Sequence, residues 1–299
     1  MNEEQLDAPI LHTLGKASLY TAFFMEVAWK NYQLRTGHWY LKSLLENLKE
    51  AKEICGPQML ALIKELRTSN SRPSVLDVGC GPVSSLAHLV HEGLATVDGV
   101  DPLTEEYSQL LKNYGKKSPV NQLVGYGEYL ERTIKATYDV VHIRNCLDHT
   151  QSPSLVWLNI LKTVKVGGFV VQTHSINEAT KENWQQFHQY NLFPDEKLGL
   201  WLSDRAGNLV SLTENLSLEP FERYSEIRKD EWMTITYQKT KELKPPLDFL
   251  STCIEQLKKG YADRFNQSIE LEKALLYASK ENELSKYHFK GKIVTKVPF

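Results

Sequence analysis

The sequence predicts an α/β fold built on a mostly parallel sheet whose strands are joined by right-handed helical crossovers. Two observations carry this. From Ser74 onward, short apolar runs alternate with longer amphipathic ones. The first of those runs, SVLDV, leads at once into a glycine-rich turn, GCGP, at the start of the next helical stretch.

The elements justify themselves in order. Before Ser74 the pattern is helical: Leu41, Leu44, Leu45 and Leu48 recur at helical spacing, as do Met59, Leu60, Ile63 and Leu66, until SNSRP breaks it. SVLDV, ATVDGV, NQLVGYG, YDVVHI and GFVVQTH then read as strands, and LAHLVHEG, EEYSQLLKNYG and SLVWLNILKTV as the helices between them. DVVHI and GFVVQ are apolar nearly throughout, as strands covered on both faces must be. The pair Gly167-Gly168 reads as the sharp turn that returns the chain to the fifth strand. After His174 the alternation stops. LGLWLSDRAGNLVSL reads as a hairpin around Asp204–Asn208, and FERYSEI and WMTITYQK as two final strands. Lys244-Pro245-Pro246 starts a Lys-rich tail with two helices, expected to be a solvated appendage. The expected organisation is a helical region or cap over 1–70, the main domain over 71–240 with an aromatic insert at 176–215, and a helical tail over 241–299.

Composition narrows the function. A 299-residue chain with 41% hydrophobic residues can bury a real core. A net charge of −2 argues against nucleic acid as a partner, because that binding is driven largely by phosphate neutralisation. Cys55, Cys80, Cys146 and Cys253 form no C-x-x-C pair and no zinc spacing, which fits a reduced, cytoplasmic setting and no metal. The acidic start MNEEQLDAPI lacks the positive region of a signal peptide, and the run LYTAFFMEVAW is too short to span a bilayer.

The glycine-rich turn carries the chemistry. Gly79 and Gly81 permit positive φ and let the backbone approach a ligand, in the crevice beyond the carboxyl ends of the strands where Asp77 brings a carboxylate. A dinucleotide fingerprint would need glycine at position 84, where Ser84 stands, and Pro82 stiffens the loop. The pattern therefore favours a cofactor without a pyrophosphate. Asp101, followed by Pro102 at the tip of the second strand, can accept hydrogen bonds from both hydroxyls of a ribose. Gly127-Glu128 after the third strand brings a carboxylate toward an adenine amine, with Tyr129 or Leu130 able to cover the ring. Each position also has a plain structural reading, as a tight turn or a loop carboxylate.

Together VLDVGCGP, GVDP, YGEYL, YDVVHIRNCLDHTQSP and LKTVKVGGFVV resemble a class I S-adenosylmethionine-dependent methyltransferase, of the broad small-molecule branch called methyltransferase type 11. The resemblance covers roughly Ser74 to Ser175. It implies a Rossmann-like, seven-stranded, mostly parallel sheet with helices on both faces and an antiparallel last strand, which FERYSEI and WMTITYQK would complete. It implies that Asp77, Gly79 and Gly81 line the methionine part of S-adenosylmethionine, that Asp101 holds the ribose and Glu128 the adenine amine. Arg144 and Asn145 would sit near its amino-acid end or sulfonium. Val83 and Val166 depart from the family, where many relatives have glycine and proline.

The residues after strands four and five bear on the acceptor. A hydroxyl acceptor must lose its proton, so a positioned base helps. His149 is the candidate base, with Asp148 to orient it; the alternative is a structural rim histidine. His174, Asn177, His188, Tyr190 and Asn191 are candidate acceptor contacts, with Trp184, Phe187 and Trp201 as an aromatic wall; the alternative is a lid packed for stability. His142, inside strand four, reads as a satisfied core histidine. No carboxylate set suggests magnesium. The expectation is O-methylation of a small polar molecule, a sugar or glycan hydroxyl foremost. Two rivals stand beside it: a non-catalytic, methyltransferase-like binding protein, and an NAD(P)-dependent oxidoreductase.

Overall fold

A computed structural model describes residues 48–67, 71–113, 115–184, 188–228 and 231–259. The leucines expected in a helix at 41–45 and the last tail helix lie outside the described residues. Strands β1 (Ser74–Val78), β2 (Thr96–Asp101), β3 (Asn121–Val124), β4 (Tyr138–Arg144) and β5 (Val164–Ser175) pair in parallel in the order β3-β2-β1-β4-β5. The small β6 (Tyr190–Pro194), β7 (Leu200–Asp204) and β8 (Leu209–Ser211) form a separate antiparallel sheet. Its turn is the expected hairpin: Asp204 accepts from the backbone N–H groups of Ala206 and Asn208, and Gly207 takes φ 84°. Of the last strands, β9 (Leu218–Pro220) and β10 (Glu226–Ile227) pair with β11 (Trp232–Lys239), which runs antiparallel to β5. The path β3-β2-β1-β4-β5-β11-β10 is the seven-stranded sheet expected, and β9 adds a strand beside it.

Alternation along the strands creates two cores. Val75, Val140 and Val171 face Met59, Leu62 and Ile63 of α1 (Lys49–Leu66) and Leu89 of α2 (Ala87–His91). Their neighbours Leu76, Val141 and Val170 face Val156, Trp157 and Ile160 of α5 (Pro153–Thr163). The helices α3 (Thr104–Asn113) and α4 (Leu130–Thr133) follow β2 and β3. Ser152 starts α5 by accepting from the Leu155 N–H, with Pro153 in the first turn where its missing donor costs nothing. Trp157 is fully buried and meets Tyr237 edge-on.

Three local expectations are corrected. FERYSEI is not one strand: Glu222–Tyr224 make a 3₁₀ turn, and only Glu226–Ile227 are extended. Phe221 stacks on Tyr224 and packs edge-on against Phe169, so residues three apart must share a side, which a strand forbids and a 3₁₀ turn requires. Gly167-Gly168 is not a turn before β5 but lies within it, where the register jumps from Tyr138↔Val164 to Val140↔Phe169. A Cβ on Gly168 would come within 2.8 Å of the Asp139 carbonyl oxygen. The first tail helix, residues 247–259, is no solvated appendage. Phe249, Cys253 and Leu257 are buried, and Gln256 accepts from the Ser154 N–H at the start of α5. Among the described residues, no helix is long and apolar enough to cross a membrane.

Candidate active site

β1 has β2 on one side and β4 on the other, so the crossovers diverge at its carboxyl end and leave a crevice there. The loop after β1 forms one wall. Gly79 and Gly81 both take positive φ, 69° and 64°. The Gly79 N–H donates to the Val100 carbonyl, and a Cβ on Gly79 would collide with the Cys146 sulfur. Gly81 differs: its N–H donates to Asp101 Oδ2 at 3.0 Å, and a Cβ there would project into open space.

The acidic residues divide their work. Asp77 is buried on the α1 side of the sheet, with Oδ1 2.7 Å from His142 Nδ1 and Oδ2 accepting from the Ser84 hydroxyl. It holds the glycine loop from behind, and His142 is a satisfied core histidine. Asp101, at the tip of β2, accepts from the Gly81 N–H on Oδ2 and from the Leu103 N–H on Oδ1. Pro102 follows, partly buried. Glu128 Oε1 accepts from the Gln151 N–H at 2.8 Å. Gly127 must be glycine because a Cβ would press on Val156 at 2.7 Å. Tyr129 lies under the Arg132 guanidinium.

Sequence reasoning missed the residues that brace these groups. Gln122 donates to the Gly81 carbonyl at 2.8 Å, and Asn159 donates to the Gly127 and Glu128 carbonyls. Nothing in the local pattern singles out either amide, and only their spatial partners give them meaning.

At the end of β4, the Arg144 guanidinium stacks over Trp232 at 4.8 Å. Asn145 takes φ 47°, accepts from the Ser175 N–H and donates to Glu178 Oε1. Cys146 then packs on the glycine loop. Burial first, then the charges of Asp101, Asp148 and Asp77, push its thiol well up, so it stands neutral between the crevice and the next group.

That group is a histidine–carboxylate cluster centred on Asp148, whose side chain has 0% exposure. Asp148 Oδ1 lies 2.8 Å from His174 Nε2, and Oδ2 lies 2.8 Å from His188 Nδ1. His149 Nε2 lies 3.3 Å from His188 Nδ1 and 3.7 Å from Asp148 Oδ1. Burial would neutralise Asp148, but the surrounding imidazoles of His149, His174 and His188 hold its carboxyl far below the usual range. His174 is also fully buried. Its Nδ1–H donates to the Ser175 carbonyl at 2.7 Å, and its Nε2–H donates to Asp148. Burial opposes a charge there, yet the Asp148 carboxylate raises the imidazole's pKa above its ordinary value. Asp148 raises His188 against burial in the same way. Glu178, at the start of α6 (Glu178–Lys181), closes the group; burial and the Asp148 charge push its carboxyl up.

The other acceptor candidates have partners of their own or stand apart from the cluster's hydrogen bonds. Asn177 begins α6 in the left-handed region and its N–H donates to the Leu192 carbonyl. The Tyr190 hydroxyl donates to the Gln151 carbonyl, and the Asn191 amide is held by Thr180. Trp201 donates to Asp195. Trp184 is half-buried at φ 58°, and Phe187 lies outside the described residues.

A sheet of this order, with a glycine loop after β1 and acids at the tips of β2 and β3, defines a class I, S-adenosylmethionine-dependent methyltransferase. A family model described as a methyltransferase domain matches residues 41–211, more than half of the sequence, and the chain belongs to that family. Among solved structures, PH0226 protein from Pyrococcus horikoshii OT3 is similar at 15% identity over 64% of this chain and 92% of its own, with a TM-score of 0.41. The N-methyltransferase NodS from Bradyrhizobium japonicum WM9, in complex with S-adenosyl-L-homocysteine, is similar at 13% identity over 62% of this chain and 89% of its own, TM-score 0.38. The plantazolicin methyltransferase BpumL, in complex with a triazolic analog and the same product, shares 16% identity over 57% of this chain and 64% of its own, TM-score 0.36. No curated protein matches the sequence.

Proposed function

We propose that the protein moves the methyl group of S-adenosylmethionine to a hydroxyl of a small polar acceptor, a sugar or glycan-type molecule, in the cytoplasm. The donor's sulfonium supplies an electrophilic methyl carbon; the chain supplies placement and proton removal. The crevice fits the donor because Gly81 opens onto free space beside Asp101. Asp101 would hold the ribose hydroxyls, Glu128 the adenine amine, and Gly79 and Gly81 would admit the methionine half. Asp77 would act by fixing that loop through Ser84.

The observation that carries the hydroxyl reading is the anionic Asp148 ringed by three imidazoles, two residues beyond the Cys146 that packs on the glycine loop. An amine need only arrive neutral, whereas a hydroxyl must shed a proton as the bond to carbon forms. His149, at the open side of the cluster with 24% exposure, would receive that proton, and Asp148 would stabilise the charge it gains. The test is to incubate the purified protein with methyl-labelled donor and pools of sugar nucleotides, glycans and amines, and to identify products by mass spectrometry. A methyl ether is expected. Products methylated on nitrogen alone would overturn the reading.

A further inference from the structure

We infer that His149, His188 and Asp148 form a binding site for a divalent first-row transition-metal ion. Three observations converge on it. The first is spacing. Ligand atoms about 2.0–2.2 Å from one ion, at tetrahedral or octahedral angles, stand roughly 2.8–3.6 Å apart. Two separations fall in that range, His188 Nδ1 to Asp148 Oδ2 at 2.8 Å and His149 Nε2 to His188 Nδ1 at 3.3 Å, while His149 Nε2 stands 3.7 Å from the other Asp148 oxygen, just beyond it. One donor atom from each of the three side chains lies within 4.8 Å of the other two, close enough for a single ion to draw them together.

The second is an orphaned oxygen. Glu178 Oε2 is buried without a hydrogen-bond partner, 3.8 Å from His188 Nδ1 and 4.0 Å from His174 Nδ1. Buried carboxylate oxygens rarely go unsatisfied. Its other oxygen is held by the Asn145 amide, so an unsatisfied carboxylate oxygen borders the cluster beside His188.

The third is orientation. His174 has both nitrogens engaged, so it cannot ligate; it orients Asp148 from behind, as outer partners of metal ligands do. Two imidazole donors out of three select zinc, cobalt, nickel or iron over magnesium or calcium, which prefer all-oxygen sites. On binding, the Nδ1 proton of His188 leaves or moves to Nε2, so occupancy falls as pH falls. The amino-acid sequence alone pointed to no metal; the ligands come from two segments about forty residues apart, a separation no local zinc motif has.

Bound there, with His149 a ligand and no longer the proton acceptor, the ion would hold the acceptor oxygen and make its hydroxyl more acidic, so that the proton passes to water. That role rests on the hydroxyl reading above; binding itself does not. The experiment strips the full chain with chelator, titrates it with Co2+ and Zn2+ alone, and records metal content and the Co2+ visible spectrum. One equivalent per chain is expected, with a spectrum of mixed nitrogen and oxygen ligation that a tenfold excess of Mg2+ leaves unchanged. His149→Gln and His188→Gln should each weaken binding by more than tenfold, and His174→Gln by about 10–100-fold. Retained affinity for S-adenosylhomocysteine confirms that each variant folds. No stoichiometric binding in the wild type, or variants that bind as it does, would overturn the inference. Absent metal with methyl ether still produced sinks the ion and leaves the hydroxyl reading; bound metal with only nitrogen products does the reverse.

Discussion

Asp77 and His142 are register partners on β1 and β4, with Oδ1 2.7 Å from Nδ1 and neither side chain more than 3% exposed. With Ser84 on its other oxygen, Asp77 joins the sheet to the glycine loop, so a residue at the edge of the donor crevice is also part of the core. Replacing Asp77 by alanine leaves His142 and Ser84 without their partner. The expected loss is about 1–3 kcal/mol of stability by urea denaturation, from buried polar groups left unsatisfied. A variant as stable as the wild type would show that the pair contributes nothing.

The two loop glycines should respond differently to alanine. Each sits in the left-handed region, where a Cβ costs about 1–2 kcal/mol. At Gly79 the new methyl also strikes Cys146, so Gly79→Ala should be the less stable variant, and adding Cys146→Ala should recover part of the loss. At Gly81 the methyl points into open space, so the main effect should be weaker donor binding. Thermal melts and calorimetry separate the two; equal effects on stability and affinity would refute the distinction.

Asp101→Ala should weaken binding of S-adenosylhomocysteine by about 1.5–3 kcal/mol for each charge-assisted hydrogen bond lost. Unchanged affinity by calorimetry would remove Asp101 from the ribose role.

His149→Ala should cut turnover by roughly 10²-fold or more while donor affinity stays near that of the wild type. Activity near normal would return His149 to a packing role at the rim.

The central strands were legible because parallel strands covered on both faces must be apolar along their length, and β4 and β5 fall where those runs lie. FERYSEI misled because aromatic residues suit strands and 3₁₀ turns alike. Only the Phe221–Tyr224 stack on Phe169 decides between them. Residue type marked Asp148, His149, His174 and His188 as chemically able. Nothing local marked that they meet, or that Tyr190 bonds to Gln151 and Asn191 to Thr180.

By itself, the sequence determined the class of fold, the order of its elements and the place of the glycine loop. Each depends on the conformation of a few neighbouring residues, and periodicity and glycine spacing record that directly. Only the tertiary structure decided that Asp77 serves the core, that the first tail helix packs on α5, and that Asp148 gathers three histidines. Those facts depend on which side chains meet across the ends of β4 and β5 and the chain beyond them, a matter of register and packing that no stretch of neighbouring residues encodes.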